Sequence, residues 1–108
     1  MEFLVNIKIE WPADGDPERW ARIVAEERAM AARLAEAGHL VRIWRVPGRR
    51  ENWGVWRASS ASELHEILSG LPVWPWMDLT VHPLAWHPAD PDPHDPRPES
   101  PIGLGPAG

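Results

Sequence analysis

Among the 108 residues, one carboxylate stands where folding has no evident use for it. Trp20, Val24, Glu27, Ala31 and Leu34 follow one another in steps of four and three, the spacing that lines up side chains on one face of an α-helix. Glu27 therefore falls inside an apolar stripe, while Glu26, Arg28 and Arg33 can turn to water. An inward carboxylate is costly unless it is paired or protonated. Partial burial also raises its pKa toward the range in which it can take up and return a proton. Two roles fit that placement: a general base, or one half of an ion pair with an inward arginine.

Arg42 and Arg45 alternate with apolar residues between Leu40 and Val46. A half-buried guanidinium is a planar, two-pronged partner for a carboxylate, whether on a ligand, on Glu27 or on a neighbouring subunit. The five histidines are scattered, with no His-x-His or His-x-x-x-His pair, and cysteine is absent. No metal site, disulfide or thiolate chemistry is expected on that basis. His65 flanks the apolar face of the second helix and is either a reserve proton carrier or a residue at the core's edge. Gly48 belongs to a turn, and Gly103 and Gly105 follow no strand, so no phosphate-binding loop is read.

The elements that must position these groups follow from periodicity. Residues Glu2 to Glu10 alternate, with Phe3, Val5, Ile7 and Ile9 on one face. Asp16 and Pro17 open a helix as cap and first residue, and it runs to about Ala37 with Gly38 as the stop. Leu40 to Val46 and Asn52 to Trp56 read as strands joined by a hairpin through Pro47 and Gly48. Strict alternation groups Arg42 with Leu40, Trp44 and Val46, and Val41 with Ile43 and Arg45. Ser60 and Glu63 form a capping box for a second helix with Leu64, Ile67, Leu68 and Leu71 on its face, and Asp78 to Trp86 is the last strand. The order is β-α-β-β-α-β, an α+β, ferredoxin-like antiparallel sandwich with both helices on one face. The strands are apolar on both sides, so a second subunit's sheet is the expected cover for the other face.

Hydrophobic residues make up 44% and charged residues 25%, and the length suits one domain. A net charge of -5 without a basic run argues against nucleic acid. The chain has no apolar run long enough to span a membrane and no leader-like start, which points to the cytoplasm. Eight Trp stand beside one Phe and no Tyr, a usage suited to pocket walls and interfaces as well as to a core. Seven of the thirteen Pro follow His87. The division expected is a folded domain over residues 1–87 and a Pro-rich arm over 88–108, laid against another subunit.

The run Leu40-Val41-Arg42-Ile43-Trp44-Arg45-Val46-Pro47-Gly48, with Asn52 after it, resembles the muconolactone Δ-isomerase family's Leu-Trp-Arg-x-x-Gly followed by Asn. Glu63-Leu64-His65, Leu71-Pro72 and Pro75-Trp76-Met77-Asp78 are similar to its second helix and following loop. Asp16-Pro17, Glu27 and His87-Pro88 fall in matching places. The resemblance covers about residues 1 to 88. It implies a dimeric α+β barrel assembled into a larger ring such as a decamer. It also implies cofactor-free isomerisation of an unsaturated lactone acid to its enol-lactone in aromatic catabolism. It casts Glu27 as base, Arg45 as carboxylate or oxyanion partner and His65 as a further catalytic candidate, with Arg42, Trp44, Asn52 and Trp76 binding substrate. Arg42 and Arg49-Arg50 depart from the family's His and His-Tyr, and Trp53, Trp56, Trp74 and Trp76 replace its Tyr and Phe. Two alternatives share the sequence signals. One is a relative that dehalogenates a chlorinated lactone or cyclises a polyketide-type intermediate; the other is a non-catalytic oligomeric binding module.

Overall fold

The computed structural model describes residues 1–92; the arm expected over 88–108 lies outside the described residues from 93 onward. The elements run β1 (Glu2–Ile9), α1 (Pro17–Glu36), β2 (Leu40–Arg45), β3 (Glu51–Arg57), α2 (Ala61–Ser69), a 3₁₀ turn (Trp74–Trp76) and β4 (Met77–Leu84). This is the expected β-α-β-β-α-β order. The strands form one antiparallel sheet in the order β2-β3-β1-β4, with β1 central and paired to both β3 and β4. Phe3, Val5 and Ile7 of β1 join Trp56 of β3 and Leu64 and Leu68 of α2 in the core, so both helices lie over the same face.

Local chemistry accounts for the helix ends. Asp16 accepts the Glu18 backbone N–H at 3.0 Å, and Pro17, which has no N–H to satisfy, starts α1. Gly38 takes the left-handed conformation, φ +87°, just past the end of α1. At α2, the Ser60 hydroxyl accepts the Glu63 N–H at 3.1 Å. The Glu63 carboxylate accepts the Ser59 N–H at 3.0 Å and the Ser59 hydroxyl at 3.1 Å, reaching one residue further back than the usual box. Gly48, φ +76°, turns β2 into β3.

One expectation from strict alternation is overturned. The β2–β3 register shifts between Leu40 and Arg42, a bulge that inserts Val41 as an extra residue. An inserted residue resets the alternation beyond it. Leu40, paired with Trp56, therefore shares the helix-side face with Ile43 and Arg45, paired with Gly54 and Asn52. Arg42 and Trp44 fall on the opposite face, opposite Val55 and Trp53.

That opposite face is mixed in character. Asn6 is buried there, donating to the Glu51 carboxylate at 3.0 Å and to the Asn52 carbonyl at 3.3 Å. Trp53 stacks on His82 with ring centroids 6.2 Å apart, and Trp44, Trp53 and Leu84 are exposed. No helix among the described residues is long and apolar enough to cross a membrane.

Candidate active site

α1 does not seal against the sheet. Its inward side chains Trp20, Val24, Glu27 and Ala31 roof a cleft of about 430 Å³ whose floor is the β2–β3 side of the sheet. That volume lies within the roughly 300–1,000 Å³ that small-molecule sites occupy. Val24 and Ala31 are too short to fill the gap, and Gly54 in the sheet offers no side chain. Ile7 and Ile9 of β1 continue the floor, and Leu71 and Val73, after α2, close one end. The lining is mostly apolar with a few convergent polar groups, the usual make-up of a ligand site.

Glu27 supplies the only carboxylate among the lining residues. It is half-buried, and its Oε2 has no hydrogen-bond partner among the described residues. Burial pushes its pKa above the ordinary glutamate value of 4.5; a hydrogen bond from the Val73 backbone N–H offsets this in part. The ion-pair role left open by sequence has no partner here. The ion pairs among the described residues join Arg49 to Glu51 and Arg57 to Glu2, and neither involves Glu27. Asn52 lies on the same wall, and its Oδ1 is buried without a partner among the described residues. Register places Arg45 directly across from Asn52, at the exposed rim. Arg28 and Arg50 are also exposed lining residues, so three cations share the cleft with one carboxylate.

Glu27, Arg45 and Asn52 are thus brought together, with Trp44 bordering them. Three other residues singled out from sequence do not line this cleft. Arg42 lies on the opposite sheet face, its guanidinium 4.9 Å from the Trp44 ring centroid. His65 projects from the exposed side of α2, edge-on to Trp74 at 5.8 Å. Trp76 packs on Trp11 at 4.5 Å; Trp11 in turn packs on Trp20 at 4.8 Å, so Trp76 supports the cleft wall from behind. Among the described residues, no three His, Asp or Glu side chains gather as a metal site would require.

Sequence reasoning named Trp56 among the substituted aromatics without assigning it to the site, and missed Arg28 and Arg50 as cleft residues. The signal for Trp56 was present: Asn52, Gly54 and Trp56 alternate, so one face of β3 carries all three. Arg50 sits just before the regular alternation begins. Its guanidinium rests 5.6 Å from the Trp20 ring centroid, a cation–π contact that only the tertiary fold creates.

Comparison with known proteins bears on the family and the fold. The family model described as Muconolactone delta-isomerase matches residues 1–90. Muconolactone Delta-isomerase 2 of Acinetobacter lwoffii is 39% identical over 87 residues, covering 81% of this chain and 91% of that protein. The Pseudomonas aeruginosa Muconolactone Delta-isomerase is 36% identical over the same shares. A crystal structure of muconolactone isomerase superposes with a TM-score of 0.79 at 34% identity, covering 85% of this chain and 96% of that one. The 5-chloro-2-hydroxyhydroquinone dehydrochlorinase of Burkholderia phenoliruptrix shares the fold at a TM-score of 0.61 and 16% identity, covering 81% of this chain and 95% of that one.

Proposed function

The chain belongs to the muconolactone delta-isomerase family and is an isomerase of that type, and on this premise we propose that Glu27 moves a proton between two ring carbons of a small unsaturated lactone acid without a cofactor. The substrate we propose is muconolactone or a close relative. The ring hydrogen beside its acid side chain is made acidic by conjugation, through the carbon–carbon double bond, to the lactone carbonyl. Glu27 as carboxylate removes that proton and leaves a dienolate; the carboxylic acid then returns a proton to the carbon next to the carbonyl. The double bond shifts by one position, and no atom or electron is gained or lost.

One observation carries this reading: a half-buried carboxylate oxygen without a protein partner among the described residues, in a largely apolar cleft. A base in that setting has a raised pKa and is free to meet a carbon acid. The other groups fit the remaining needs. Arg45, with Arg28 and Arg50 at the rim, attracts and holds the substrate's carboxylate. Asn52 offers an amide to the lactone. Trp44 borders the site and Trp76 supports its wall through Trp11 and Trp20, while Arg42 and His65, which do not line the cleft, are given no part in the reaction.

Incubating muconolactone with the protein in deuterated water tests the proposal. Muconolactone should convert to the enol-lactone, with deuterium entering at the carbon next to the carbonyl to the extent that the Glu27 carboxylic acid exchanges with solvent before returning its proton; a substrate that stays unchanged overturns the proposal. We also propose self-association through the sheet face away from the helices, where Trp44 and Trp53 are exposed. Light scattering that reports a monomer at micromolar concentration would exclude it.

A further inference from the structure

Building on that reading, we infer that the Trp56 indole N–H is a catalytic hydrogen-bond donor that holds the substrate's lactone carbonyl oxygen as it becomes a dienolate oxygen. The proposed reaction builds negative charge on that oxygen, and a donor already aimed at it lowers the barrier without reorganising. Arginines at an exposed rim are suited to the substrate's own carboxylate. The enolate oxygen needs a donor inside the cleft.

Trp56 is 2% exposed, and its Nε1 is buried with no hydrogen-bond partner among the described residues. An indole has one donor and no acceptor, and native interiors seldom leave such a group unmet. Trp56 lines the same cleft as Glu27 and Asn52. The position of the N–H follows from Gly54. A Cβ added at residue 54 would lie 2.9 Å from Trp56 Nε1 and 3.4 Å from Cδ1. The N–H edge of the ring therefore rests over Gly54, displaced along β3 toward Asn52, whose Oδ1 is the other orphaned atom of this strand. Gly54 acts as the positioning residue, because any side chain there meets the indole edge or the Arg42 carbonyl 3.3 Å away. A phenylalanine at position 56 would keep an aromatic ring in the core, though a smaller one; what the indole adds beyond volume is a donor, and that donor has no structural partner among the described residues.

Two measurements test this. The first is muconolactone turnover by the wild type and by Trp56→Phe, with melting of both. Loss of one such donor lowers kcat by about a hundredfold or more. Loss of an orphaned donor costs no stability in itself, so a modest fall in melting temperature reports the volume lost from the core, and the kcat of the folded variant is the readout for the N–H. The second is the Trp56 indole N–H proton resonance, identified as the signal missing from Trp56→Phe. It is followed in the Glu27→Gln protein, expected to keep the cleft's shape while turning muconolactone over about a hundredfold or more slowly. It should move downfield as muconolactone saturates the site. A wild type that leaves muconolactone unchanged overturns the functional reading itself. Turnover by the wild type together with an unchanged kcat in Trp56→Phe overturns only this inference. Should Trp56→Phe not fold, its missing resonance is assigned instead by through-space contacts to Gly54, and an indole signal that does not move on saturation overturns the inference.

Discussion

α1 and α2 lie over one face of one sheet, and the topology makes them equivalent halves of a repeated βαβ plan. α2, nine residues long, buries Leu64 and Leu68 among Phe3, Val5 and Trp56. α1, twenty residues long, buries none of its side chains fully among the described residues. The difference lies in what faces the sheet. α2 presents long aliphatic side chains that reach the strands. α1 presents Val24 and Glu27, too short or too polar to close the gap, and its Met30, Ala31 and Leu34 pack against the core only partly buried. One half supplies the packed core and the other leaves a cavity with a carboxylate in it. Stability and chemistry are thereby separated onto two helices, and substitutions should separate them too.

The largest effect is expected at Glu27. Glu27→Gln keeps the shape and removes the base, so proton transfer should fall by about a hundredfold to ten-thousandfold. Folding should survive, because no ion pair among the described residues is broken. A variant that turns muconolactone over at the wild-type rate would end the case for α1 as the chemical helix. Leu68→Ala is the mirror experiment on α2. It truncates a side chain that is 2% exposed and should lower unfolding free energy by about 2–5 kcal/mol in a urea titration. The fraction that remains folded should keep its kcat. A stability loss no larger than that of an exposed-site substitution would blur the distinction between the helices.

The pH dependence carries the same contrast. Burial raises the Glu27 pKa in the folded state, so that state holds the proton more tightly than the unfolded chain does. Between 4.5, the ordinary value, and the higher folded value, the folded state binds more protons, and stability falls as pH rises through that interval. Above the folded value the penalty is complete. Activity runs the other way: kcat/KM should fall as pH drops through a value above 4.5, because only the carboxylate takes the proton. Glu27→Gln should remove both slopes. A profile whose acid limb sits at or below the ordinary glutamate value would place the base elsewhere.

Much of this was legible in the sequence. The order of elements, the Asp16 and Ser60 caps and the inward placement of Glu27 follow from periodicity and end chemistry, which are local. The face assignment of Leu40 and Arg42 was not legible, because a bulge shows no residue signature here and one inserted residue resets the alternation. His65 sits next to Leu64 in the chain, but a single helical step of about 100° carries it off the buried face. Trp76 matches a family motif, yet it reaches the cleft only through Trp11 and Trp20. The openness of the cleft depends on how far apart two elements settle, and no single segment encodes that distance.

The smallest expected effects lie at the caps, and they still separate the two helices. Ser60 and Asp16 each accept one backbone N–H, and replacing such a residue with alanine costs about 1 kcal/mol. Ser60→Ala weakens a helix whose side chains are part of the core, so its effect should appear in global unfolding. Asp16→Ala weakens a helix with no fully buried side chain among the described residues, so its effect should appear first as local fraying. Faster amide exchange in the first turns of α1, around Glu18 to Ile23, should then occur with little change in the urea midpoint. Fraying there loosens Trp20, which packs against Trp11 at 4.8 Å and roofs the cleft, so KM should rise before stability falls. If both cap variants instead shift the urea midpoint equally and leave exchange in α1 unchanged, α1 is as much a part of the cooperative core as α2, and the division of labour between the helices does not hold.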